Sequence, residues 1–405
     1  MVDFRRLEDA LVEGKRVLVR VDFNVPCDNA GNITDDTRIR TALPTIKYLQ
    51  KKGAKVILIS HYGRPGGKHQ AEASLLKIVS PLSDLLDTPI AFAPDCVGED
   101  ASQAVNDLEP GNVLLLENTR FHVGEQKNPN GLKGYDPEFA KKLASFGEIF
   151  VHDAFSVSHR SQASTTGIAE TLTAYAGMAM ERELDHISQA LNNPKRPVMA
   201  LVGGAKVSTK IDLLKNLVTK LDTLAIGGGM ANTFLAAQGF DVGGSLCEHD
   251  LKDTALAILR AAKDADCEVL LPVDVVAAEN FAAHAPHRVC NLDDVAENEM
   301  ILDAGPQTVS KLLDAIDQSR TLIWNGPLGA FELAPFDTST VEAAKYTARR
   351  VQEHGLIAVA GGGDTVAALK HAGAAEGFTF ISTAGGAFLE WMEGKPLPGV
   401  EILKK

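Results

Sequence analysis

Val198-Met199-Ala200-Leu201-Val202 is a five-residue apolar run that passes directly into Gly203-Gly204-Ala205-Lys206. A short run without polar alternation suits a strand buried on both faces, as in a parallel sheet covered by helices. The pattern recurs along the chain. In the first half it is met at Val17–Val21, Val56–Ile59, Val113–Leu116 and Ile149–Val151. In the second half it returns at Leu224–Ile226, Val269–Leu271, Thr321–Trp324, Leu356–Ala360 and Phe378–Ile381. Segments of helical period separate these runs. Strands alternating with helices predict an α/β fold with mostly parallel sheets and right-handed crossovers.

The 405 residues suggest two or three domains, at ~150 residues per domain. From Glu181 to Asn193, Leu184, Ile187 and Leu191 recur at helical spacing, and Asn193-Pro194-Lys195-Arg196-Pro197 then breaks the chain. This reads as one helix joining two Rossmann-like lobes, residues 1–177 and 178–390. Residues 391–405 form a tail in which Gly394-Lys395-Pro396-Leu397-Pro398-Gly399 is too rich in Pro and Gly to be helical.

Hydrophobic residues at 45% and charged residues at 23% are ordinary for a folded chain, which excludes disordered and fibrous classes. Forty basic against fifty-three acidic side chains give a net charge of −13, which argues against nucleic acid or an anionic membrane as the main partner. The five cysteines lack any Cys-x-x-Cys pair and read as reduced thiols. No apolar run approaches the ~18 residues of a membrane span, and the N-terminus lacks the apolar core of a signal peptide. The expected location is the cytoplasm.

In open α/β sheets, ligands bind beyond the carboxyl ends of the strands, and those ends differ between the two halves. In the first half they deliver polar groups and cations: Asp22 and Asn24 with Arg38 shortly after, His61 and Arg64, Arg120, and His159-Arg160. Guanidinium forks converging on one crevice suit a small, multiply anionic ligand bearing carboxylate or phosphate. In the second half they deliver glycine: Gly203-Gly204 before Lys206 and Lys210, Gly227–Gly229, Asn325-Gly326 with Glu332 beyond, Gly361-Gly362-Gly363 before Asp364 and Thr365, and Gly385-Gly386. Such turns let backbone N–H groups approach phosphate at a helix N-terminus; any one, Gly227–Gly229 above all, could be a tight packing turn, but several in one half with Lys or Asp within reach favour a nucleotide site. Asp364 is placed to ligate Mg²⁺ carried with phosphates. Neither a P-loop nor a Gly-x-Gly-x-x-Gly fingerprint follows any strand.

The ordered motifs Arg16-Val17-Leu18-Val19-Arg20-Val21-Asp22-Phe23-Asn24, Thr37-Arg38-Ile39-Arg40, Ser60-His61-Tyr62-Gly63-Arg64-Pro65, Glu117-Asn118-Thr119-Arg120-Phe121, Gly203-Gly204-Ala205-Lys206-Val207, Trp324-Asn325-Gly326-Pro327 and Gly361-Gly362-Gly363-Asp364-Thr365 together resemble the phosphoglycerate kinase family over essentially the whole chain. The resemblance implies reversible phosphoryl transfer from 1,3-bisphosphoglycerate to ADP, giving 3-phosphoglycerate and ATP with Mg²⁺. It also implies hinge bending between the lobes, a tail that returns to the first lobe, and a monomer. By motif, Asp22, Asn24, Arg38, His61, Arg64, Arg120 and Arg160 correspond to the phosphoglycerate site. Lys206, Lys210, Asn325, Glu332, Gly362, Gly363, Asp364 and Thr365 correspond to the nucleotide and magnesium site, with Arg38 and Lys206 as the catalytic cations. Two departures stand out: Ser156-Val157-Ser158 where the family often has Gly-Thr-Ala, and Ala384 where it commonly has Gly. The readings that compete are a nicotinamide-dependent dehydrogenase, which lacks its fingerprint here, and a non-catalytic anion sensor, which would need the arginines but not Lys206, Lys210 or Asp364.

Overall fold

The computed structural model describes residues 3–131, 134–191 and 193–405. By internal packing the chain forms two compact units: one holds the residues up to Asp185 together with Pro396–Lys405, the other holds His186–Lys395.

The first unit is built on β1 (Arg16–Arg20), β2 (Lys55–Ile59), β3 (Ile90–Ala93), β4 (Val113–Leu116), β5 (Ile149–His152) and β6 (Ala174–Ala176). They form one sheet in the order β3-β4-β2-β1-β5-β6, and every pairing is parallel. The second unit carries β7 (Val198–Val202), β8 (Thr223–Ile226), β9 (Glu268–Leu270), β10 (Asp274–Ala278), β11 (His287–Asn291), β12 (Met300–Ala304), β13 (Thr321–Asn325), β14 (Ile357–Gly361) and β15 (Phe380–Ser382). Its parallel sheet has the order β15-β14-β13-β7-β8-β9. A separate antiparallel sheet has the order β11-β10-β12.

Each apolar run named above lies on a strand of a parallel sheet, because helices cover both faces and leave no wet side to demand alternation. The helix Thr37–Lys51 shows how that cover is made. It buries Ile39, Ala42, Ile46 and Leu49, at steps of three and four residues, against Val19, Val56 and Leu58. In the second unit Leu312 and Ile316 of the helix Pro306–Gln318 pack with Leu201, Leu322 and Trp324. Truncating one such buried Leu or Ile to Ala costs about 2–5 kcal/mol.

The helix expected from Glu181 runs Met178–Leu191; of the expected residues, Asn192 lies outside the described ones. It starts earlier because its first N–H groups are satisfied from distant residues. Thr45 Oγ1 accepts from the Met178 N–H at 2.9 Å, and Asp153 Oδ1 accepts from Ala179 and Met180 at 2.9 and 3.2 Å. The tail expectation also needs correcting, since Pro398–Glu401 forms one helical turn with proline at its first position, where its missing N–H costs nothing. That turn is tied down by the Gly399 N–H donating to Ser158 O at 2.8 Å, while the Arg5 N–H donates to Leu403 O at 2.8 Å.

Candidate functional site

Parallel strands bring all their carboxyl ends to one edge of a sheet, so each unit gathers its strand-end loops into one set. In the first unit the deepest member is Arg20, the last residue of β1 and fully buried. Its Nε donates to Ser164 Oγ at 3.0 Å, and that hydroxyl donates to Glu125 Oε1 at 2.6 Å. Glu125 is also fully buried, and burial raises its carboxyl even though Arg20 and Ser164 work the other way. Arg20 Nη2 donates to His61 Nδ1 at 3.0 Å. A guanidinium is always a donor, so His61 must accept at Nδ1 and carry its proton on Nε2. Burial first, then the charge of Arg20, pushes His61 well below the ordinary histidine range. It is a neutral imidazole at pH 7.

Asp22 and Arg38 form an ion pair at the mouth of this set, and Ser156 Oγ donates to Asp22 Oδ2 at 2.5 Å. Burial opposes ionisation of Asp22, but the Arg38 charge, the Ser156 hydroxyl and the Asn24 N–H together hold it below the usual carboxylate range. Ser156, one of the departures from the family's motif, thus holds a site carboxylate directly. Asn24 Oδ1 accepts from the Gly63 N–H at 2.8 Å, joining the loops after β1 and β2.

The loop after β4 is fixed by buried side chains. Glu117 accepts from Leu75 N, Asn118 N and Ser74 Oγ at 2.8, 2.7 and 2.6 Å. Asn118 donates to Tyr62 O and Ala73 O, both at 2.8 Å, and accepts from Tyr62 N and Arg120 N, both at 3.1 Å. The outcome is the placement of Arg120, which is buried and donates to Gly63 O at 2.7 Å, while its Nε has no partner among the described residues. Burial first, then repulsion from Arg20, Arg160 and Arg64, lower Arg120 to about 10, opposed by the charge of Glu125. Four guanidinium groups therefore share one field, in which Glu125 is the carboxylate that opposes their repulsion at Arg120. Arg64 and Arg160 are exposed, and Arg160 Nε donates to His159 Nε2 at 3.1 Å.

In the second unit Lys210 is the organising residue. Its Nζ donates to Asn325 Oδ1 at 2.6 Å, to Asn325 O at 3.0 Å and to Gly203 O, bridging the loops after β7 and β13. Burial lowers its ammonium to about 8, opposed by the charge of Asp364. Asn325 Nδ2 donates to Gly361 O at 2.7 Å, and Thr365 Oγ1 accepts from the Gly326 N–H at 2.7 Å. Gly362, at φ +101°, could not carry a side chain, since a Cβ there would lie 2.7 Å from Asn325 Nδ2.

The glycines divide into two kinds. A Cβ on Gly203 would fall 1.8 Å from Pro327 O, one on Gly227 2.5 Å from Leu328 Cδ2, and one on Gly228 2.8 Å from Gly204 O. These residues let loop pack on loop. Gly363 and Gly385 meet nothing within 4 Å and face open space. Asp364 is exposed in the first turn of the helix Gly363–His371, not at its cap position. Lys206 stands exposed before the turn Val207–Thr209, and its charge is felt at Glu248. Glu332 is exposed between β13 and the helix Thr338–His354. The structure thus gathers Lys210, Asn325, Gly362 and Thr365 by hydrogen bonds and close packing, with the Asp364 charge acting on Lys210, and leaves Lys206 and Glu332 outside that set. Ala384, the other departure, sits at φ −94°, a conformation any residue adopts, so it introduces no strain.

Arg20, Glu125 and Ser164 were not singled out from the sequence, and Ser156 entered only as a departure from the family's motif. Arg20 carried a readable signal, since a charge inside a run buried on both faces requires a buried partner. Glu125 and Ser164 lie in segments without periodicity and carried none.

Two parallel-sheet units, one with crowded guanidinium groups at its strand ends and one with glycine turns braced by a lysine, define an α/β enzyme of the phosphotransferase kind. The family model described as "Phosphoglycerate kinase" matches residues 7–395. A phosphoglycerate kinase from Brucella abortus is 58% identical over 402 residues, covering 99% of this chain and 100% of the relative. Another from Maricaulis maris is 60% identical over 400 residues, covering 99% and 97%. The solved phosphoglycerate kinase from Coxiella burnetii superposes with a TM-score of 0.90 at 41% identity, covering 99% of this chain and 98% of that one. The chain belongs to the phosphoglycerate kinase family.

Proposed function

We propose that the first unit holds the phosphoglycerate and the second the adenine nucleotide, in a phosphoryl transfer between 1,3-bisphosphoglycerate and ADP. The observation that carries this division is the cation field around Arg120, whose unpartnered Nε and repelling neighbours call for an anion. Arg38, Arg64, Arg120 and Arg160 bind the carboxylate and phosphate of the three-carbon ligand, while Asp22, Asn24 and the Nε2–H of His61 position it. In the second unit Gly362 and Gly363 admit phosphate oxygens, and Lys210, Asn325 and Thr365 hold the turns that receive them. Magnesium arrives with the nucleotide as part of the substrate. The exposed Asp364 carboxylate beside the open face of Gly363 fits a hard cation that keeps phosphate and water ligands. Glu332 belongs to the nucleotide side by motif alone.

In the ATP-forming direction a terminal oxygen of ADP attacks the acyl-phosphate phosphorus, the new P–O bond forms, and the bond to the carboxyl oxygen breaks. The leaving carboxylate is ionised at pH 7, since carboxyl groups titrate near ~4. No proton has to move, so no general base is required. What the step needs is positive charge around the transferring group, supplied by Arg38 from one unit and Lys206 from the other. Ligands held on separate units meet only if the units approach, and excluding water then protects the acyl phosphate from hydrolysis. The same reading makes the protein a cytoplasmic monomer. A coupled assay with ATP, 3-phosphoglycerate and Mg²⁺ tests the mechanism. Arg38→Ala and Lys206→Ala should each lower kcat by a factor on the order of 10², and retention of full kcat in both would overturn charge neutralisation.

A further inference from the structure

At the edge of the first unit's sheet, where the loop after β3 meets the loop that carries Arg120, lies a group that the reaction does not use. Asp95 and Cys96 follow β3, and His122 follows the turn Thr119–Phe121 after β4. One donor atom from each of these three residues lies within 4.8 Å of the other two, and no other such trio occurs among the described residues. His122 Nε2 lies 2.6 Å from Asp95 Oδ1. The histidine ring stacks on Phe139, with centroids 4.9 Å apart, and Asp95 Oδ1 accepts the Cys96 N–H at 2.6 Å. Imidazole and carboxylate are therefore both held in orientation. Cys96 is fully buried, whereas the Asp95 and His122 side chains are 45% and 31% exposed, so the group has a closed floor and an open side.

We propose that Asp95, Cys96 and His122 form a binding site for a thiophilic divalent cation of the Zn²⁺ class. Tetrahedral Zn²⁺, with ligands at about 2.0–2.3 Å, sets its donors about 3.3–3.8 Å apart, so the His122–Asp95 pair, now 2.6 Å apart, opens slightly while the widest separation, at most 4.8 Å, closes by about an ångström. One sulfur and one imidazole nitrogen select such a metal over Mg²⁺ or Ca²⁺, which take oxygen. Binding forms a Cys96 Sγ–metal bond and releases the thiol proton to solvent. Water fills the fourth position from the open side. By contrast, Cys247, 3.6 Å from His249 Nδ1, is not joined by a third ligand among the described residues.

The test is titration of the chelator-treated, full-length protein with Co²⁺, followed by Zn²⁺ and, separately, Mg²⁺. We expect one equivalent of near-ultraviolet thiolate-to-cobalt charge transfer, bleached by Zn²⁺ and untouched by Mg²⁺. Cys96→Ser should remove the band. His122→Gln and Asp95→Asn alter part-exposed side chains, so they should keep the fold and weaken Co²⁺ binding more than about 100-fold, beyond the loss seen for outer-shell partners. A wild-type protein without the band overturns the proposal, leaving an Asp95–His122 hydrogen bond over a buried thiol. So does a band that survives Cys96→Ser or is unchanged in His122→Gln.

Discussion

Binding of ADP should draw a proton onto Lys210, and the effect should be largest well above neutral pH. The lysine's ammonium is lowered from 10.5 to about 8, mainly by burial, and Asp364 is the only charge that props it up. Nucleotide phosphates beside the same turns would add negative charge and return it toward its ordinary value. With a free value near 8 and a bound value near 10.5, Lys210 takes up about 0.1 proton at pH 7, about 0.5 at pH 8 and about 0.9 at pH 9. The linked affinity should fall about sixfold per pH unit between about 8 and 10. The phosphates are fully ionised at pH 9, so they do not contribute to the signal. Calorimetric titration of ADP with Mg²⁺ at pH 9, in two buffers of different ionisation enthalpy, reads the uptake directly. Lys210→Arg keeps a cation that does not titrate, so its uptake should vanish. Uptake below about 0.2 in the wild type at pH 9, or equal uptake in Lys210→Arg, would refute the reasoning.

Other outcomes follow from the same geometry. Asp153 is fully buried with its carboxyl raised by burial to about 7, so the fold favours its neutral form. That contribution is complete below about pH 4 and lost as pH rises through about 7, a swing of at most about 4 kcal/mol. Asp153→Asn should therefore flatten the fall in thermal stability between pH 5 and 8, and an unchanged pH profile would contradict the burial argument. Gly203→Ala would set a methyl 1.8 Å from the backbone carbonyl oxygen of Pro327, which cannot swing aside, and should lower both Tm and ADP affinity. Gly363→Ala meets open space and should leave Tm nearly unchanged while weakening ADP, as calorimetry beside thermal unfolding will show. His61→Gln should keep kcat within about tenfold of the wild type and raise KM for phosphoglycerate, since a neutral imidazole that accepts from Arg20 positions the ligand and moves no proton. A kcat that collapsed, with KM unchanged, would assign His61 an acid–base role.

The fold was readable wherever burial imposes composition. β1, β2, β4, β5, β7, β8, β13 and β14 lie inside covered parallel sheets, and their sequences could hardly be polar. β3 and β6 escaped notice because they are edge strands, half exposed in β3 and only three residues long in β6. β11 reads His287-Arg288-Val289-Cys290-Asn291 with one face in water, and nothing local marks it as the partner of β10. The start of the helix Met178–Leu191 depends on Thr45 and Asp153, far away in sequence, which local pattern cannot reveal. At the site, sequence placed the charged groups beyond the strands but could not sort the glycines. Gly203 and Gly363 look alike in the chain, yet one is pressed against Pro327 and the other faces open space. Nor could it show that Glu117 and Asn118, within a motif, act by holding Arg120 and Tyr62 in place.

The central claim is that two ligands occupy two separate sets of loops, and calorimetry on full-length variants tests it most directly. Arg38→Ala should weaken 3-phosphoglycerate binding at least about tenfold, the loss of one charge-assisted contact, and leave Mg²⁺–ADP binding unchanged. Asp364→Asn should do the reverse, weakening Mg²⁺–ADP and sparing 3-phosphoglycerate. If Arg38→Ala lost the nucleotide, or Asp364→Asn lost 3-phosphoglycerate, the division of labour between the two units would be contradicted.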